Sequence, residues 1–327
     1  VSVDELIEQF LAELSTRSTQ SPAQLAQLRR LLTRVARLGE VGADALGVGV
    51  AAAALDELLQ ASAVFAPFVD RAKVTVFGSA RTRPDNPLFE MARRLSEIMA
   101  QRGWITVSGA GPGIMEASAM GAGREHTLGV NIDLPFEQNT NLYIDTETML
   151  VDMKYFFTRK VAMTSASSAF VIFPGGLGTM DETFEVLTLL HTGKTDPAPV
   201  VLVDTLDGTF WDKWMVFVES AIIADDYIGP GDMCLVHRCR SVEAAVEEIE
   251  RFYSNYGSFE ILEGRGRVSV RRPPSPQQLA ALVELVPGFA GGEGFRVEHG
   301  GVISFDFKGR NFVNLRLLID EVNRWAD

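Results

Sequence analysis

Residues 169–187 read Ala169-Phe-Val-Ile-Phe173, then Pro174-Gly-Gly-Leu-Gly-Thr-Met-Asp-Glu182, then Thr183-Phe-Glu-Val-Leu187. A short apolar run bounded by proline and glycine predicts a strand buried on both faces, and the segment after the glycines predicts a helix. Strand, glycine turn and helix together make one half of a parallel β-α-β unit. Gly175, Gly176 and Gly178 let the backbone approach a ligand closely. The first amides of a helix lack partners within it, and their partial positive charge suits a phosphate. Thr179 and Glu182 also have the T-x-x-E spacing of a capping box, a purely structural device. A cap needs none of the three glycines. Their presence favours a phosphate seat, with Asp181 and Glu182 beside it for chemistry on the sugar that carries the phosphate.

The same alternation extends on both sides. Val74–Phe77 predicts a strand ending at Gly78-Ser79, and Asn86-Pro87 opens a helix toward Gln101. Further strands are expected at Trp104–Val107, Thr127–Ile132 and Val200–Val203. This predicts an α/β fold, a parallel sheet with helices on both faces, with ligands at the carboxyl ends of its strands. Ser79 and the glycines of Ser108-Gly109-Ala-Gly111-Pro-Gly113 lie at such ends. That second turn is neither a dinucleotide fingerprint, whose third glycine would fall at Ile114, nor a Walker A loop, which needs Gly-Lys-Ser/Thr.

Three domains are expected. Residues 1–70 read as helical, with apolar stripes at Leu6, Ile7, Phe10, Leu11 and Leu14 and at Leu25, Leu28, Leu32, Val35 and Leu38. A glycine- and alanine-rich joint runs from Gly42 to Ala54. The stripes must bury against the sheet domain or another subunit, so a homo-oligomer is expected. Residues 71–255 hold the sheet. Residues 256–327 form a small α+β appendage: a strand near Arg267–Arg271, a helix opened by Ser275-Pro276, two strands around His299-Gly300-Gly301, and a last helix over Val313–Trp325.

Composition narrows the partners. With 30 basic and 43 acidic residues among 327, the net charge of −13 argues against nucleic acid and anionic membrane. An anionic substrate therefore needs a locally positive pocket. No run is expected to reach the ~18 apolar residues of a membrane span, and Asp4, Glu5 and Glu8 stand where a signal peptide would carry basic residues. Cys234, His237 and Cys239 offer three nearby metal ligands without an evident fourth, so no metal is expected. Two reduced cysteines fit a cytoplasmic protein.

Upstream of the first motif, Lys154–Met163 predicts a helix carrying Arg159-Lys160. Adjacent helical residues point about 100° apart, whereas Met163 shares the face of Arg159. The helix feeds the strand of the glycine turn, so Arg159 can offset the carboxylates and hold an anion in fixed geometry. The pair Arg159-Lys160-Val-Ala-Met163 and Pro174-Gly-Gly-Leu-Gly-Thr-Met-Asp-Glu182 resembles the LONELY GUY family of nucleoside 5′-monophosphate phosphoribohydrolases, long labelled lysine decarboxylases. The resemblance covers about residues 72–250, and Gly109–Met115 is similar to the family's first glycine-rich turn. It implies a Rossmann-like fold, no cofactor, and dimers or larger homo-oligomers. It implies catalytic roles for Arg159 and Glu182, phosphate contacts from Gly176, Gly178 and Thr179, and contacts to the rest of a nucleoside monophosphate from Glu137, Lys160 and Thr188. The flanking regions resemble in layout the longer bacterial nucleotide nucleosidases. A molybdenum-cofactor or nucleotide carrier of the same fold is the alternative. A pyridoxal-phosphate decarboxylase would need a Schiff-base lysine with an acidic partner, and nothing marks one.

Overall fold

The structure, a computed structural model, describes residues 2–17, 19–42, 44–134, 140–292, 294–309 and 311–326. Contacts divide the chain into two units, Val1–Leu59 and Gln60–Asp327. In the first, α1 (Val3–Arg17) packs on α2 (Pro22–Glu40) and buries Ile7 and Leu11. Ser21 and Gln24 close a capping box at the start of α2. The next helix, α3 (Ala45–Phe65), corrects two expectations. From Ala45 onward the supposed joint is helical, because Ala51–Ala54 are strong helix formers that outweigh Gly47 and Gly49. With the short turn that follows, Ala45–Phe68 is also one helix long and apolar enough, by length and composition alone, to cross a membrane.

The second unit is built on β1 (Lys73–Phe77), β2 (Ile105–Ser108), β3 (Thr127–Ile132), β4 (Leu150–Met153), β5 (Ala169–Ile172), β6 (Val200–Val203) and β7 (Val236–Cys239). They form one sheet in the order β4-β3-β2-β1-β5-β6-β7, with every neighbouring pair parallel. Between them run α4 (Pro87–Gln101), α5 (Ile114–Ala122), α6 (Phe156–Ser165), α7 (Leu177–Thr192), α8 (Phe210–Phe217) and, after β7, α9 (Val242–Phe252). The five strands expected from apolar runs are present. The outermost two, β4 and β7, were not expected: Leu-Val-Asp-Met and Val-His-Arg-Cys are interrupted by exposed Asp152 and Arg238, so they lack the apolar run of a central strand. Side chains alternate across the sheet, so Val74 and Val76 pack with α4, α5 and α9 on one face while Phe77, Val107 and Phe170 join α6, α7 and α8 on the other.

The chain lays down β1 to β4 in one direction and returns to place β5 on the free side of β1. The order reverses between β1 and β5, and a crevice opens there at the carboxyl ends of the strands. Ser79 N donates to Pro174 O across it at 3.2 Å, tying the loop after β1 to the glycine turn after β5.

The C-terminal stretch adds an antiparallel sheet, β10-β11-β9-β8, from β8 (Tyr256–Leu262), β9 (Arg265–Val270), β10 (Arg296–Glu298) and β11 (Val302–Asp306). The helices α10 (Pro276–Leu285) and α11 (Phe312–Arg324) complete it around Phe289, Phe305, Phe307 and Leu318. β8 was not expected, because most of its side chains are exposed and supply little apolar signal. His237, one of the three residues weighed as metal ligands, instead lies 2.7 Å from buried Arg316 of α11 and 3.2 Å from Glu248.

Candidate active site

Two helices start at the crevice. α7 is capped by Gly176 with no side-chain cap, and its first internal bond runs from Met180 N to Gly176 O. The capping-box alternative therefore fails: Thr179 lies inside the helix, buried, and Glu182 sits in the second turn. The amides of Leu177, Gly178 and Thr179 precede that first bond and have no acceptor within the helix. α5 begins at Gly113, whose φ of +70° belongs to glycine. A Cβ on Gly113 would lie 2.4 Å from Ser79 O, so this turn closes on the protein itself.

Between them lies a cavity of about 570 Å³. Ser79, Gly109, Gly111, Arg159, Gly176, Gly178, Thr179 and Glu182, all singled out in the sequence, line it. Its floor is a buried ion pair: Arg159 Nη1 is 3.9 Å from Glu182 Oε1, with side chains 9% and 14% exposed. Arg159 reaches this position from α6 because its Nε donates to Val130 O at 2.9 Å and its Nη2 to Gly109 O at 3.4 Å. Gly109 makes room for it, since a Cβ there would stand 2.0 Å from Nη2. Asn141 braces the same turn: its Nδ2 donates to Ala110 O and Gly111 O, both at 3.2 Å, and Ala110 holds a φ of +62°.

Burial dominates the electrostatics. It pushes the Glu182 carboxyl up to about 7, helped by the charges of Asp181 and Glu185 and opposed by Arg159 and Lys160. The same burial lowers the pKa of Arg159, which Glu182 counters. A carboxylate so placed exchanges protons near neutral pH and can take one from water.

The remaining candidates fall elsewhere. Gly175 backs the second turn, where a Cβ would meet Thr179 Oγ1 at 2.2 Å. Lys160 points away from Arg159 and pairs with Asp181 at 3.1 Å and with Glu185 at 2.5 Å, outside the cavity lining. Met163 is buried in the core beneath α6. Thr188 lines a separate hollow of about 160 Å³ with Phe184, His191 and Trp214. Glu137 lies outside the described residues. Conversely, Arg81, Met115, Asn131 and Phe156 line the cavity and were not singled out. Arg81 was within reach of the reasoning that selected Ser79, because both sit in the loop at the carboxyl end of β1.

Residues 100–249 match the family model described as possible lysine decarboxylase. The chain is 34% identical over 91 residues to a cytokinin riboside 5′-monophosphate phosphoribohydrolase of Rhodococcoides fascians, covering 28% of this chain and 44% of that protein. It is 34% identical over 136 residues to the enzyme of the same name from Mycobacterium marinum, covering 38% of this chain and 66% of that protein. The chain thus spans less than two thirds of these relatives' length. The molybdenum cofactor binding protein of Rippkaea orientalis is similar over 55% of this chain and 96% of its own, at 21% identity and a TM-score of 0.40.

Proposed function

We propose that the chain, whose residues 100–249 match the family described as possible lysine decarboxylase and whose two motifs resemble the LONELY GUY family, hydrolyses the N-glycosidic bond of a nucleoside 5′-monophosphate. The observation that carries this reading is the Glu182 carboxylate, with a pKa of about 7 and facing Arg159, on α7, whose first amides have no acceptor within the helix. The 5′-phosphate sits on the amides of Leu177, Gly178 and Thr179. The C1′–N bond then breaks through an oxocarbenium-like state. Glu182 steadies the positive sugar and accepts a proton from the attacking water, and that proton passes to the departing base. The oxygen of water ends on C1′, so the products are free base and ribose 5-phosphate. Arg159 fixes the orientation of the carboxylate. Binding energy from the phosphate supports chemistry at the anomeric carbon.

A carrier of the same fold would use the amides but has no need of a carboxylate held near neutrality. Incubation with AMP, adenosine and a cytokinin riboside monophosphate, the last chosen from the names of the relatives, separates the readings. Release of ribose 5-phosphate from a monophosphate, with adenosine far slower, is expected. Tight binding of AMP without release would overturn the hydrolase reading, and equal rates on adenosine and AMP would remove the phosphate seat.

A further inference from the structure

The cavity holds an electrostatic imbalance that the two motifs leave unexplained. Among the described residues its charged lining consists of Arg81, Arg159 and Glu182. Arg159 is committed, with Nε on Val130 O, Nη2 on Gly109 O and Nη1 facing Glu182. Lys160, the other cation of the motif, is held by Asp181 and Glu185 outside the lining. Arg81 is different. Its backbone amide donates to Ser79 Oγ at 3.1 Å, but among the described residues its guanidinium makes no hydrogen bond or ion pair. It stands in the loop after β1, between the glycine turn after β2 and the one after β5.

A phosphate monoester brings close to two negative charges into a protein of net charge −13 and toward a carboxylate already in the cavity. Helix amides supply partial charge only, about half a unit at an N-terminus. A full cation that is not already neutralised is needed, and a guanidinium meets a phosphate with two parallel donors. We infer that Arg81 is the substrate's phosphate-binding cation, closing over the 5′-phosphate from the β1 loop while the α7 amides hold it from the other side. The inference rests on the nucleotide reading of the site. It makes the pocket selective for a 5′-phosphate over an uncharged nucleoside, and it gives Arg81, rather than Lys160, the charge-pairing role.

The test compares wild type, R81A and R81K. Calorimetry measures binding of AMP, ribose 5-phosphate and adenosine, and hydrolysis of AMP is followed in parallel. Arg81 is exposed, so melting temperatures serve as a folding control. R81A should weaken AMP and ribose 5-phosphate by about 10- to 100-fold, the range for losing a charged hydrogen bond, and leave adenosine unchanged. R81K should recover part of the loss. Wild-type affinity of R81A for ribose 5-phosphate would overturn the assignment while leaving hydrolysis standing. An equal loss for adenosine would overturn it too, and so would a wild-type protein that binds neither phosphate compound. Phosphate binding that depends on Arg81 without any release of ribose 5-phosphate would overturn the hydrolase reading and support this one.

Discussion

The two glycine turns at the mouth of the crevice look alike in sequence and do different work. In Ser108–Gly113 the glycines are filled by the protein: a Cβ on Gly109 would meet Arg159 at 2.0 Å, and one on Gly113 would meet Ser79 O at 2.4 Å. Among the described residues of and around Pro174–Gly178, Gly175 alone is packed, while a Cβ on Gly176 or Gly178 would have nothing within 4 Å. One turn spends its glycines on bringing Arg159 and the β1 loop close. The other leaves Gly176 and Gly178 clear of every described residue at a helix start, where there is room for a visiting group. A glycine-rich loop is thus a scaffold or a seat according to what an added methyl group would strike.

The sharpest way to break this contrast is to remove the group on which both turns converge. E182Q should lower AMP turnover by about 10²- to 10⁴-fold, typical for loss of a general base. Wild-type kcat/KM should fall on the acid side of about pH 7, and that limb should vanish in the variant. Stability should move the opposite way. Because the folded-state pKa is raised from 4.5, wild type binds more protons folded than unfolded between about 4.5 and 7, and its stability declines across that window as pH rises. Melting curves at pH 5 and pH 8 should therefore show the variant gaining on wild type as pH rises. A gap independent of pH would mean that Glu182 titrates normally.

G109A tests the packed turn. Its methyl group displaces the Arg159 guanidinium, so activity should fall by about 10²-fold, the cost of shifting a catalytic group by about an ångström. Overpacking should also cost about 1–3 kcal/mol in a denaturant titration. Wild-type kinetics would show that Arg159 need not sit where Gly109 admits it.

G178A tests the open turn and carries the smallest effect. Stability should hold or rise by up to about 1 kcal/mol, since alanine suits a helix better and meets nothing there. KM for AMP should rise by about tenfold as the methyl group intrudes on the phosphate. An unchanged KM would make the two turns equivalent and place the phosphate elsewhere.

Much of the fold was legible because central parallel strands are continuous apolar runs and their turns are marked by glycine. The edge strands β4 and β7 were not, because each carries an ordinary mixture of charged and apolar residues and becomes a strand only by pairing with β3 or β6. The site was legible as residue types and less so as positions. Thr188 follows Glu182 by six residues, which turns it about 120° round the helix and into a different hollow. Arg81 belonged to no motif, and that its guanidinium has no partner among the described residues is a property of the folded surroundings.

The sequence by itself determined the alternation of strands and helices, the two glycine turns, and the differing directions of Arg159 and Lys160, because backbone sterics and helical geometry are local. Only the tertiary structure decided that β5 returns beside β1, that Arg159 and Glu182 meet at 3.9 Å, and that the Glu182 carboxyl is lifted to about 7. Those facts depend on which strand ends become neighbours and on how much water is excluded between them. Both are set by long-range packing, and no short window of residues contains that information.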